Sequence, residues 1–173
     1  IRQAEGAYVS LARKSLEHYI KTGLPLERPS NLPDDMLKGK AGVFVSIKKD
    51  GRLRGCIGTI SAVTTCIADE IIRNAVGAGT ADPRFKVVTA DELDALVYSV
   101  DVLGKAEPVS GIADLDAKRY GVIVRHGMRA GLLLPNLEAV ETPSQQISIA
   151  LQKAGIRPNQ SYELERFEVV RHK

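Results

Sequence analysis

Along residues 3 to 21 the side chains of one face return at helical spacing. Ala4, Ala7, Tyr8, Leu11, Ser15 and Tyr19 fall in line, and Gly23 follows as a stop, which predicts an amphipathic helix. The periodicity vanishes in LPLERPSNLPDDMLKGK (24–40), where Pro25, Pro29 and Pro33 exclude regular structure through much of the segment. Its charges are expected to face solvent. Two strand-like runs come next, GVFVSIKK (42–49) and RLRGCIGTI (52–60), on either side of Asp50-Gly51. That dipeptide suits a type I′ turn, so the pair is predicted to be a hairpin. A second helix is expected from about Thr65 to Val76, with Ile67, Ile71, Ile72 and Ala75 on one face. Thr64 or Thr65 serves as its cap and GAGT (77–80) as its end.

ADPRF (81–85) reads as a turn, and Thr89 and Glu92 in TADEL stand in capping-box spacing, the mark of a short helix. In LVYSVDVL (96–103), Leu96, Tyr98, Val100 and Val102 form one face, and Val97, Ser99, Asp101 and Leu103 the other. The run is read as a central strand carrying one charged group. A second hairpin is expected over 121 to 134, turning at His126-Gly127. It shares with the first a basic strand end, a glycine turn and a downstream Arg-Gly or Arg-Ala-Gly, a likeness short of a repeat signature. The last helix starts at Thr142-Pro143 with Gln145 in capping-box spacing, and ends at Gly155. YELERFEVV (162–170) closes the chain as one strand. Tight turns between strands force antiparallel pairing, so the pattern predicts an α+β fold, mainly antiparallel sheet with packed helices.

Chemistry concentrates in LRGCIG (53–58). With a two-residue turn, Cys56 pairs with Val45 and Arg54 with Ile47. Alternation then sets Arg54, Cys56 and Gly58 on one face and Gly55 on the other. A guanidinium in that row favours thiolate over thiol, or grips a carboxylate or phosphate. Glycine inside a strand marks a bulge or a close approach by a ligand or another backbone. Gly58 is therefore expected to leave an empty place beside the thiol. Against this stands the plainer reading of a free cysteine as a small buried hydrophobe, with Arg54 a structural partner of Asp82 or Asp101. Cys66 is expected in the first turn of the helix, whose amino end would lower a thiol pKa, but it reads more simply as a small residue packing near the helix start. Asp82 most simply bonds its own turn, and Arg84 either holds an acid or clamps a ligand. Asp101, in an apolar strand, needs a partner such as an arginine; its functional reading is general base. Ser99, His126 and Arg129 complete the polar candidates.

Composition narrows the classes. A net charge of +3 and 5% aromatic residues argue against a nucleic-acid binder. The three histidines are scattered, so no metal-ligand spacing appears, and no cofactor motif is present. Two cysteines are too few for a disulfide framework, which points to a reducing, cytoplasmic setting. No apolar run approaches the roughly 20 residues of a membrane span. The chain starts at Ile1, as a piece of a longer or fused polypeptide would.

LRGCIGTI, ADPRF, ELDALVYSVDVL (92–103), GVIVRHGMRAGLLLP (121–135) and the helix ending in KAGI (153–156) together resemble the AMMECR family, in its bacterial and archaeal form of AmmeMemoRadiSam system protein A. Two loops depart from that family: KVV after ADPRF, and GKAEPV (104–109). The resemblance spans nearly the whole chain and implies a single domain over 1–173 of two lobes flanking a cleft near RGCIG. It also implies Memo-type and radical SAM proteins as partners. Its matching motifs mark Arg54, Gly55, Cys56, Gly58, Asp82 and Arg84 as site positions. Three readings stand: a thiol-dependent enzyme acting on an anionic or carbonyl-bearing small molecule or modified residue, with Cys56 as nucleophile; a non-catalytic adaptor that holds a protein or peptide; and, third, a nucleic-acid module using Arg52, Arg54 and Arg84.

Overall fold

The computed structural model describes residues 5–173, so the predicted start of the first helix, with Ala4, lies outside the described residues. In chain order the elements are α1 (Ala7–Thr22), α2 (Asp34–Lys38), β1 (Val43–Lys49), β2 (Arg52–Gly58), α3 (Ile67–Thr80), a 3-10 turn (Ala90–Ala95) and β3 (Leu96–Leu103). Then follow β4 (Glu107–Pro108), a 3-10 turn (Ile112–Asp114), β5 (Gly121–His126), β6 (Arg129–Leu133), α4 (Pro143–Ala154), β7 (Glu163–Phe167) and β8 (Val169–His172). They form two compact units: one runs up to Leu103 and includes Val170–Lys173, the other is Gly104–Val169. The fold is α+β, with antiparallel pairing as the tight turns predict.

The first unit is a sheet of strand order β2-β1-β3-β8 with helices on one face. Val43, Val45 and Ile47 of β1 and Leu96, Tyr98 and Val100 of β3 turn to that face. There they pack into one core with Leu11 and Leu16 of α1 and Ile67, Ile71 and Ala75 of α3. The other face carries Phe44 and Ser46 from β1 and Ser99 and Asp101 from β3, paired across the strands. Asp50 and Gly51 sit at φ 53° and 75°, the positive values a type I′ turn requires. α1 ends at Gly23, left-handed at φ 75°, as its sequence predicts.

Two expectations for this unit need correction. α3 does not stop before GAGT; it continues through it to Thr80. Glycine is a poor helix former, but here it permits close packing: a Cβ on Gly79 would lie 2.5 Å from Leu16 of α1, and one on Gly77 3.0 Å from Ile57 of β2. Nor is the segment from 24 to 40 wholly irregular: Pro33 leads into α2, whose Met36 is fully buried.

The second unit is a sheet of order β4-β7-β5-β6, with α4 against β5 and β6. Val122, Val124, Leu133, Ile147, Ala150 and Leu151 form its core. The predicted capping box of α4 is present: Gln145 N–H donates to Thr142 Oγ1 at 3.2 Å, and Gly155 closes the helix at φ 69°. The hairpin turn is displaced by one residue, since His126 pairs with Arg129 and leaves Gly127 and Met128 at the tip. The run at 162–170 is not one strand. It breaks at Glu168, so that β7 belongs to the second sheet and β8 to the first. No helix among the described residues is long and apolar enough to cross a membrane.

The tightest approach in the first unit is at Gly55, where a Cβ would lie 2.0 Å from the Ala78 carbonyl oxygen of α3. Backbone cannot yield as a side chain can. Gly55→Ala is therefore expected to cost about 2–3 kcal/mol and to lower the denaturant midpoint. Gly111→Ala, which meets nothing within 4 Å, is expected to leave the midpoint nearly unchanged.

Candidate functional site

The hairpin β1–β2 has an irregular register that the sequence does not announce. Lys48 pairs with Leu53, but Ile47 pairs with Gly55, leaving Arg54 as the extra residue of a β-bulge. Beyond it every partner moves by one: Cys56 faces Ser46, not Val45, and Gly58 faces Phe44. The bulge also separates Arg54 from the row that was expected to hold it beside Cys56. Its guanidinium grips Glu92 in a fork, Nε to Oε1 at 2.9 Å and Nη2 to Oε2 at 3.1 Å, and its Nη1 donates to the Lys86 carbonyl at 2.8 Å. Lys49 adds a third cationic donor to Glu92. The Arg54 ion pair holds the Glu92 carboxyl down at about 2. Glu92 is also the acid of the predicted capping box, accepting from Thr89 N–H at 2.8 Å. Arg54 therefore ties β2 to the turn that feeds β3, with neither Asp82 nor Asp101 as its partner.

The glycines serve the protein itself. Gly55 admits the α3 backbone, and the place above Gly58 is filled by the Phe44 ring, whose carbons lie 2.2–2.5 Å from where a Cβ would stand. The empty place expected beside the thiol is thus occupied by an aromatic side chain.

Cys56 lies on edge strand β2 and is partly exposed. Its N–H points away from β1 and donates to Asp82 Oδ2 at 3.0 Å. Its Sγ sits 3.3 Å from Ser46 Oγ across the strand. Ser99 is the next residue in the same row, paired with Ser46 from the other side. Asp82 is nearly buried. It accepts Arg84 N–H and Nε at Oδ1, both at 3.1 Å, and Arg84 Nη2 at Oδ2 at 2.8 Å. Hydrogen bonding to Arg84 outweighs burial and holds the Asp82 carboxyl at about 2. The Arg84 side chain is 57% exposed. Its guanidinium is kept charged first by Asp82, and Cys56 lies within electrostatic reach of it. Arg84 thus holds an acid, the first of the two roles the sequence left open, and leaves its guanidinium half exposed. The structure therefore brings Cys56, Asp82 and Arg84 together, with Ser46 as a member the sequence reading missed. The signal was available: Ser46 is a polar residue in a strand otherwise apolar from Val43 to Ile47.

Asp101 has the arginine partner its burial demands. Arg171, 70 residues away on β8, donates Nε to Oδ1 at 2.8 Å and Nη2 to Oδ2 at 3.1 Å, so the carboxylate is held in a fork. Cys66 is the N-cap of α3 and fully buried, but charge does reach it: Arg28 Nη1 donates to its Sγ at 3.1 Å and to Asp69 at 3.2 Å. Thus one charge of the proline-rich loop binds the helix start instead of solvent. Glu70, also missed, is buried beneath the segment after β2. Burial pushes its carboxyl up, but donors from Thr59, Thr64 and the Val63 and Thr64 backbone hold it below the usual range. An acid on the apolar face of α3 was its signal. In the second unit, His126 Nδ1 meets the Ser161 carbonyl and Arg129 donates to Gly155. Neither cysteine forms a disulfide, and no metal-ligating cluster is present, among the described residues.

The depressed carboxyls make stability pH-dependent. For Asp82 and Glu92 the folded values of about 2 lie below their ordinary 3.8 and 4.5. Their contribution is complete above the ordinary values and is lost as pH falls toward 2. Glu92→Gln is expected to lower stability by about 1–3 kcal/mol at neutral pH and to flatten its fall between pH 5 and 2, roughly the window of that linkage. Denaturant titrations across that range measure both.

The profile of the AMMECR1 family matches residues 9–172. A protein of Clostridium acetobutylicum is 53% identical over 99% of this chain, which spans only 37% of that relative's length. A Thermotoga maritima protein is 46% identical, with 98% of each chain covered. The crystal structure of an uncharacterised Pyrococcus horikoshii protein superposes with a TM-score of 0.84 at 30% identity, covering 95% of this chain and 88% of that one. With the profile matched almost from end to end, this chain belongs to the AMMECR1 family.

Proposed function

We propose that Cys56, Ser46, Asp82 and Arg84 form a thiol site that takes an anionic or carbonyl-bearing small molecule or modified residue. The observation that carries this reading is a partly exposed cysteine whose sulfur lies 3.3 Å from the Ser46 hydroxyl and which is within electrostatic reach of the half-exposed Arg84 guanidinium. A thiolate is stabilised by a nearby cation and by a hydrogen-bond donor. The cation comes from Arg84, in the place the sequence assigned to Arg54. Asp82 fixes both partners at once, through the Cys56 amide and through two guanidinium nitrogens. Arg84 Nη1 makes no hydrogen bond among the described residues and is the donor available to a ligand's carboxylate, phosphate or carbonyl oxygen. Where the ligand bears a carbonyl, the thiol proton is first lost to solvent, the thiolate then adds to the carbonyl carbon, and the C=O π pair moves onto the oxygen that Arg84 Nη1 holds.

We further infer that the protein acts in one system with Memo-type and radical SAM proteins, in the reducing cytoplasm where two cysteines stay unbridged. The family resemblance supports those partners. The greater length of the Clostridium relative, of which this chain spans 37%, supports a domain that works joined to others.

The test is the pH dependence of iodoacetamide labelling at Cys56, read by mass spectrometry, with buried Cys66 as internal reference. The expected midpoint lies below the ordinary thiol value of about 8.5. Arg84→Met and Ser46→Ala are each expected to raise it by about half a unit or more. A Cys56 that labels at or above the ordinary value, indifferent to both substitutions, removes the thiol site and leaves the adaptor reading. That reading predicts that Cys56→Ser keeps all function.

A further inference from the structure

The second unit carries a hollow that has no part in the thiol site. It measures about 700 Å³ and is formed wholly by residues between Pro108 and Glu165. An adjoining hollow of about 410 Å³ shares Arg125, Tyr162 and Glu163 with it. The first is within the size range of small-ligand sites, about 300–1,000 Å³.

Its charges are arranged in an unusual way. Arg125 and Glu163 are direct cross-strand partners on β5 and β7, the position where opposite charges ordinarily pair. They do not pair. Arg125 turns diagonally to Glu165, Nε to Oε1 at 2.6 Å. Its two Nη groups and the Glu163 carboxylate make no hydrogen bond or ion pair among the described residues. The hollow therefore holds an acceptor and a donor set side by side, both unused, with a local sum of two carboxylates against one guanidinium. Beside them Ile112, 51% exposed, supplies an apolar wall, and Tyr162 adds a part-exposed ring able to face a cation.

The chemistry that satisfies all of these groups is an ammonium for Glu163, a neighbouring carbonyl oxygen for the Arg125 Nη groups, and an apolar side chain against Ile112. The net negative balance favours a ligand of net charge +1 over a zwitterion. We propose that this hollow binds the amino terminus of a peptide whose first residue is apolar. The inference stands on the second unit alone and is independent of the reactivity of Cys56.

A 1H–15N NMR titration of the full chain with leucinamide, Leu-Gly-Gly amide, N-acetyl-leucinamide and free leucine tests it. Leucinamide and the peptide amide are expected to shift amides at 109–112 and 162–165 and to saturate in the millimolar range. N-acetyl-leucinamide, without the ammonium, is expected to shift none of them. Glu163→Gln, at an exposed side chain with no partner to lose, is expected to weaken leucinamide by about tenfold. Equal binding of the acetylated probe, indifference to Glu163→Gln, tighter binding of free leucine than of leucinamide, or no shift with any probe would each overturn the proposal.

Discussion

A single buried carboxylate, Asp82, organises the candidate site. An edge strand leaves alternate N–H groups without a partner, and an ion taken out of water needs donors from every side. The two needs meet at Asp82. It takes the outward N–H of Cys56, the N–H of Arg84 in its own turn, and two guanidinium nitrogens of the same arginine. One residue thus satisfies an outward N–H of edge strand β2, braces the turn at 81–85, and sets a cation near the thiol. Asp82 bonds both the Cys56 backbone and the Arg84 guanidinium, and so holds the two in mutual reach.

The same unit shows how glycine positions in a functional-looking motif can be structural. RGCIG reads as space for a ligand, yet both glycines make room for the protein: Gly55 for the α3 backbone and Gly58 for the Phe44 ring. What the motif gives the site is position. Gly55 lets α3 lie close on β2, and α3 leads directly into the turn that carries Asp82 and Arg84. Arg54 serves the same end, since its fork on Glu92 and its bond to the Lys86 carbonyl tie the bulged strand to the segment on the far side of that turn.

Features set by near neighbours in the chain were legible in the sequence. Asp50-Gly51 gave the first hairpin, and Thr89 with Glu92 and Thr142 with Gln145 gave two capping boxes. The demand of Asp101 for a cation was also legible, because burial of charge is costly wherever it occurs. Long-range geometry was not. The bulge at Arg54 adds one residue without disturbing the local pattern, and it alters every pairing beyond it. That Arg54 meets Glu92, that Arg171 meets Asp101 and that Arg28 meets Cys66 depends on segments 38 to 70 residues apart. Alternation also could not show that the last strand breaks at Glu168 to serve two sheets.

The most direct measurement of the central arrangement is hydrogen exchange at the Cys56 amide. Facing outward from an edge strand, this proton would ordinarily exchange at nearly the rate of an unstructured amide. Held by Asp82, it should exchange at least about a hundredfold more slowly, and the protection should disappear in Asp82→Ala while the amides of β1 keep theirs. Rapid exchange in the unaltered protein would contradict the account, because it would mean that the carboxylate does not hold the strand that bears the thiol.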